Sequence, residues 1–292
     1  MSQLRKGLAV SASLAGIVAA VAMIVAVLAP SASAARMVCP HDGEPAAGST
    51  IMGGVEVNGG RCRLDNVTVY GGITVDPTPE SAVDANFARL GFGSTVYGGV
   101  RVGHGGLLAV DVVYATGEVN ASSTINGGIT ANEALGLDIE FATVTGGVTL
   151  DGTEDFSFLC GSPEDGCFQN TSMCGDNVFG NVTISTPPGA DQNFLGDPGE
   201  QFFANADCDA NTIHGSVFLT NSNFLNPFDG ESNEIEGNTV TGSVHVDGST
   251  AEVYGNTVGG SLLCTNGSVI QPPAPGDPSG STNDVNGANT CF

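Results

Sequence analysis

Thr68-Val69-Tyr70-Gly71-Gly72-Ile73-Thr74-Val75 and Thr95-Val96-Tyr97-Gly98-Gly99-Val100-Arg101-Val102 are two copies of one phrase: Thr, aliphatic, any, Gly, small, aliphatic, any, aliphatic. The phrase starts again at Thr50, Thr124, Thr143, Asn177, Thr212, Thr239 and Thr257, which makes nine copies, and Val285-Asn286-Gly287 is a degenerate tenth. Its second residue is always Val or Ile, its fourth always Gly, and its sixth always Val, Ile or Leu. Self-similarity of this kind is the mark of a repeat architecture, not of composition. Successive copies begin 18 to 35 residues apart, and the shortest steps are 18 and 19. A minimal unit of that length therefore carries insertions of variable size.

The phrase is β-branched, alternating and rich in Gly, with no 3.6-residue period, so a helical solenoid is excluded. Period-2 alternation puts Val69, Gly71, Ile73 and Val75 on the inner face and Thr68, Tyr70, Gly72 and Thr74 on the outer face. The invariant Gly then marks an inner corner where a Cβ would crowd the bend. Such a unit is one coil of a single-stranded parallel β-helix, an all-β solenoid of about ten coils stacked about 4.8 Å apart. The usual preference of parallel crossovers makes it right-handed. The stretches 76–94, 151–176, 185–211 and 220–238 hold Pro and Asp-Gly, Ser-Pro or Asn-Pro pairs and are expected to be loops. The expected division is a leader over 1–34, a cap segment over 35–49, the β-helix over 50–264 and a disulfide-tethered tail over 265–292.

Arg5 and Lys6 precede an apolar run over 7–28, then Pro30 and Ala32-Ser33-Ala34. That is the pattern of a cleaved secretory signal, with an uncleaved membrane anchor as the alternative, and once the signal is removed no membrane segment remains. The composition fits export. The chain has 31 Asp and Glu against 7 Lys and Arg, for a net charge of -24. After the leader there is no Lys, and after Arg101 no Lys or Arg. Nucleic-acid binding is excluded, because neutralising phosphates needs basic side chains. The surface repels anionic partners and keeps the chain soluble and monomeric.

Cys39, Cys62, Cys160, Cys167, Cys174, Cys208, Cys264 and Cys291 all follow the leader. An even number in an exported chain reads as disulfides, with 105 pairings open to eight Cys. Proximity suggests Cys39–Cys62 and Cys264–Cys291 as clamps on the two ends, and the other four would pair among themselves. No C-x2-C spacing supports a structural metal. The segment 256–291, NTVGGSLLCTNGSVIQPPAPGDPSGSTNDVNGANTC, with its GN-x-V-x-G repeats and final Cys, resembles uncharacterised secreted β-helix proteins of high-GC Gram-positive (actinobacterial) type. The resemblance covers most of the chain and is strongest over 238–291. It implies a fold and an extracellular or wall-associated location, but no activity. The Gly-Gly phrase is also similar to that of bactofilins, which are cytosolic and lack these Cys.

Candidate chemistry is sparse. Asp138 and Glu140, and Asp207 and Asp209, are acidic pairs two residues apart on expected strands, so each pair shares a face. These are the carboxyls that a carbohydrate-active enzyme of glycoside-hydrolase type would use. In a chain this acidic, a solvated face is the simpler reading. Tyr70 and Tyr97 hold equivalent outward positions and could stack on a sugar or on each other. No cofactor is expected. Calcium is the one counter-ion the Asp/Asn/Gly-rich loops suggest, although neither the RTX nonapeptide nor an EF-hand loop occurs. The residues together favour an exported, non-enzymatic protein with a structural or adhesive role. Its partner is unnamed, and neutral carbohydrate or cell-wall material fits best.

Overall fold

The computed structural model describes residues 35–40, 43–78, 85–111, 122–152, 171–186, 193–196, 210–223, 232–272 and 282–291, and the main chain of 201–203 and 206–207. Residues 1–34, over which a leader is expected, and His41, Cys160, Cys167, Cys208 and Asp209 lie outside these residues.

Each phrase folds as two short strands with a corner between them. Its first residues pair with those of the copies before and after, from Thr50–Met52 through Thr68–Tyr70 to Asp284–Val285, and form a ten-stranded parallel wall. Its last residues, with Met37–Cys39 stacked ahead of the first of them, form a second ten-stranded wall that ends at Leu262–Thr265. A third wall of nine strands runs from Arg61–Asp65 to Val269–Ile270. Three parallel walls visited in turn by one chain make a parallel β-helix of about ten coils. The degenerate phrase at Val285 does close the first wall, as Val285 pairs with Val258. The one antiparallel pair among the described strands is Gln201–Phe203 with Ala206–Asp207.

Register is kept from coil to coil. Thr50, Thr68, Thr95, Thr124 and Thr143 are successive partners in the first wall. Leu64, Leu90, Val110, Ile139, Met173, Leu195, Ile235 and Val253 form one buried column of the third. Because the side-chain period is two, a slip of one residue would turn each such column out to water. The aliphatic column therefore fixes the register as it builds the core.

The structure corrects the expected alternation at one point. Val69, Ile73 and Val75 are buried, but Gly71 is exposed and Gly72 is buried. The chain turns at Gly71-Gly72, with φ of 105° and 80°, and the alternation slips by one residue there. Val69 and Ile73 can then both face inward from different walls. The corner needs glycine because corners stack: a Cβ on Gly71 would stand 2.9 Å from the Gly53 carbonyl carbon, and one on Gly72 would stand 2.8 Å from the Gly99 oxygen. In later copies the fifth residue is Asn181, Ser216, Ser243 or Ser261, and its side-chain oxygen accepts a main-chain N–H of the next coil. Ser216 N–H donates to Asn181 Oδ1 (2.9 Å), and Ser243 and Ser261 N–H donate to Ser216 and Ser243 Oγ (3.0 Å each).

A second correction concerns the stretches expected to be loops. Phe87–Gly91, Thr171–Cys174, Asn193–Gly196 and Asn233–Glu236 are strands of the third wall, set inside those stretches. This wall carries no glycine-punctuated phrase, so the repeat does not extend to it.

Cys39–Cys62 and Cys264–Cys291 are disulfides, as proximity suggested, and Cys174 is also disulfide-bonded. The second bridge closes a loop with a sequence separation of 27 over the last coil, where Leu262 N–H donates to Ala288 O and Thr290 N–H to Leu262 O. Cys291→Ser is expected to cost about 3–4 kcal/mol by the loop-entropy relation. Faster amide exchange at Leu262 and Thr290, with exchange at Val100 unchanged, would register the loss. The bridges mark an oxidising environment. Among the described residues, no helix is long and apolar enough to cross a membrane.

Candidate functional site

Asp138 and Glu140 stand on the strand Gly136–Glu140, fourth of the third wall. Leu137 and Ile139 alternate with them and enter the core, which forces both acids onto the outer face. The sequence therefore located the pair correctly on one face. It did not show their burial: Asp138 is 1% exposed and Glu140 8%. Burial, and then the like charge of Glu140, push the Asp138 carboxyl well above the usual carboxylate range. Neither Asp138 oxygen has a hydrogen-bond partner. Asp207 lies on the separate antiparallel pair, so the structure does not bring the two acidic pairs onto one strand ladder.

Other carboxyls of this wall were not singled out by sequence. Glu234, Glu236 and Glu252 are buried on its outer face, with Glu234 and Glu252 direct partners. Asp111 accepts bonds from Ser123, Oγ to Oδ1 at 2.7 Å and N–H to Oδ2, yet burial still pushes it up to about 6. Asp176 sits in an interior column with Asn211, Asn238 and Asn256, all four at most 1% exposed. Burial raises it well above the ordinary value, against the lowering effect of the Ala142 and Cys174 main-chain bonds.

Tyr70 and Tyr97 are 40% and 42% exposed and stack on each other, with centroids 4.8 Å apart and planes within 7°. Each spends one ring face on the other. Met52 flanks Tyr70 and Asn126 flanks Tyr97 in the same column. Ring edges and hydroxyls are what this ladder presents to a ligand. His214 stacks on Phe179 at 4.4 Å in the first wall, and His245 on Phe218 at 4.9 Å in the second. The two His are thus on different walls and share no site. A polar recess of about 330 Å³ lies where Asn132, Asp151, Ser185, Thr186 and Asn221 meet. Among the described residues, no three His, Cys, Asp or Glu side chains converge as a metal cage.

No family model matches the chain, and neither a curated protein nor a solved structure shows significant similarity to it.

Proposed function

We propose that this chain is an exported, non-enzymatic β-helix rod that acts at the cell surface or in the medium, through adhesion or as a structural element. The burial of Asp138 and Glu140 carries this reading. A glycosidase needs its two carboxyls on either side of a bound sugar, and this pair is shielded from solvent. The leader pattern and the disulfides support export. The outer ladders of the first two walls, in which Thr and Tyr repeat in register, support contact along the side of the rod.

Neutral polysaccharides are the ligand class to test, because the net charge of -24 opposes polyanions. Affinity electrophoresis against a panel of neutral glycans is expected to show retardation without release of reducing ends. Tyr70→Ala/Tyr97→Ala should weaken retention roughly tenfold, in line with the loss of an aromatic contact. Reducing ends that accumulate with wild type and disappear with Glu140→Gln would overturn the reading in favour of an enzyme.

A further inference from the structure

Every Lys and Arg of the chain lies at or before Arg101. A carboxylate buried in the later coils must therefore find its counter-charge elsewhere, since an uncompensated buried charge is not tolerated. Asp138 is the sharpest case. Both of its oxygens are shut off from solvent and accept no hydrogen bond. The nearest Arg of its own column, Arg89, is two strands away across Ala109. Its neighbour on the same face is another acid, Glu140, and the fields of both reach Asp176.

Protonation does not resolve this arrangement. A proton on Asp138 adds an O–H donor that also lacks a partner, and the second oxygen is left as it was. A cation held between the two carboxyls satisfies both oxygens at once. The next residue of the Asp138 column is Ser172, which puts a third side-chain oxygen on the same face. An all-oxygen set with no imidazole or thiolate selects a hard cation over zinc or copper.

We propose that Asp138 and Glu140 hold a divalent hard cation, calcium by its ligand chemistry, on the outer face of the third wall. Ser172 and enclosed water complete the coordination. With two carboxylates the site belongs to the weak class, with a dissociation constant on the order of 10⁻⁴–10⁻³ M.

The test uses the full oxidised chain stripped with EDTA. Melting is followed with 10 mM CaCl2 and with NaCl at equal ionic strength, which removes general screening of the acidic surface. Calcium is expected to raise Tm by about 3–5 °C over NaCl. Asp138→Asn and Glu140→Gln should each abolish most of that rise, and Asp151→Asn, in the polar recess, should keep it. Titration calorimetry on the unsubstituted chain should give one site of matching affinity, and that readout holds even if a variant folds poorly. No calcium heat and no rise over NaCl would overturn the proposal. So would a rise that survives in Asp138→Asn and Glu140→Gln.

Discussion

Asp176→Asn is expected to raise the melting temperature at pH 7.5 by roughly 3–8 °C and to leave it almost unchanged near pH 4. The reason is a ladder inside one corner of the rod. Asn211 Nδ2 donates to Asn238 Oδ1 (2.9 Å), Asn238 Nδ2 to Asn256 Oδ1 (3.1 Å), and Asn256 Nδ2 to Asn283 Oδ1 (2.9 Å). Each amide also donates to a third-wall carbonyl: Asn211 to Met173, Asn238 to Leu195, Asn256 to Ile235, Asn283 to Val253. Asp176 occupies the next rung. Its N–H donates to Asn211 Oδ1, and its Oδ1 accepts from Ala142 N–H, both at 2.8 Å. Its Oδ2, where each Asn carries a donor, is buried without a partner. The equivalent carbonyl is that of Ile139, the strand partner of Met173.

An amide would supply the missing donor, and a buried unsatisfied group costs about 1–3 kcal/mol. The pH dependence has a definite sign. The folded carboxyl titrates well above 3.8, the ordinary value. Its contribution to stability is therefore complete below about pH 4 and is lost as the pH rises through the folded value. Asn does not titrate, so the advantage of the variant grows with pH. Calorimetry at the two pH values and fixed salt checks this, and an equal gain at both would remove the titration argument.

Gly127→Ala is expected to cost about 4 kcal/mol or more, and Gly267→Ala about 1–2 kcal/mol. Both residues have positive φ, 126° and 78°. They differ in what lies beside them. A Cβ on Gly127 would be 2.8 Å from the Gly99 nitrogen and 3.0 Å from the Gly98 carbonyl carbon, whereas one on Gly267 meets nothing within 4 Å. Only the first substitution forces two coils apart along the axis, against hydrogen bonds such as Gly99 N–H to Asn126 O at 3.1 Å. Urea unfolding of the two variants separates the effects. Equal losses would mean that backbone strain alone, and not coil stacking, is what glycine relieves.

Two of the three walls were legible in the sequence because each coil repeats the same eight-residue pattern there. The third wall was not. FARLG, TSMC, NFLG and NEIE share a buried aliphatic column but no common motif, since their outer side is covered and their side chains answer to local cover as well as to the core. The Asn ladder left its trace just outside the eight-residue phrase. Asn211, Asn238 and Asn256 each stand one residue before a phrase counted from its Thr. The shared face of Asp138 and Glu140 followed from period two. Their burial could not, because what shuts them from water is tertiary.

The ladder bonds run from coil to coil, along the rod. A pull on the two ends would load these few bonds in sequence, and the coils would peel off singly instead of shearing together. Peeling from either terminus meets a sulfur–sulfur bond first, at Cys39–Cys62 or at Cys264–Cys291. The mechanical strength of the protein thus depends on its oxidation state, and a reductant would turn a rod that resists tension into one that unzips.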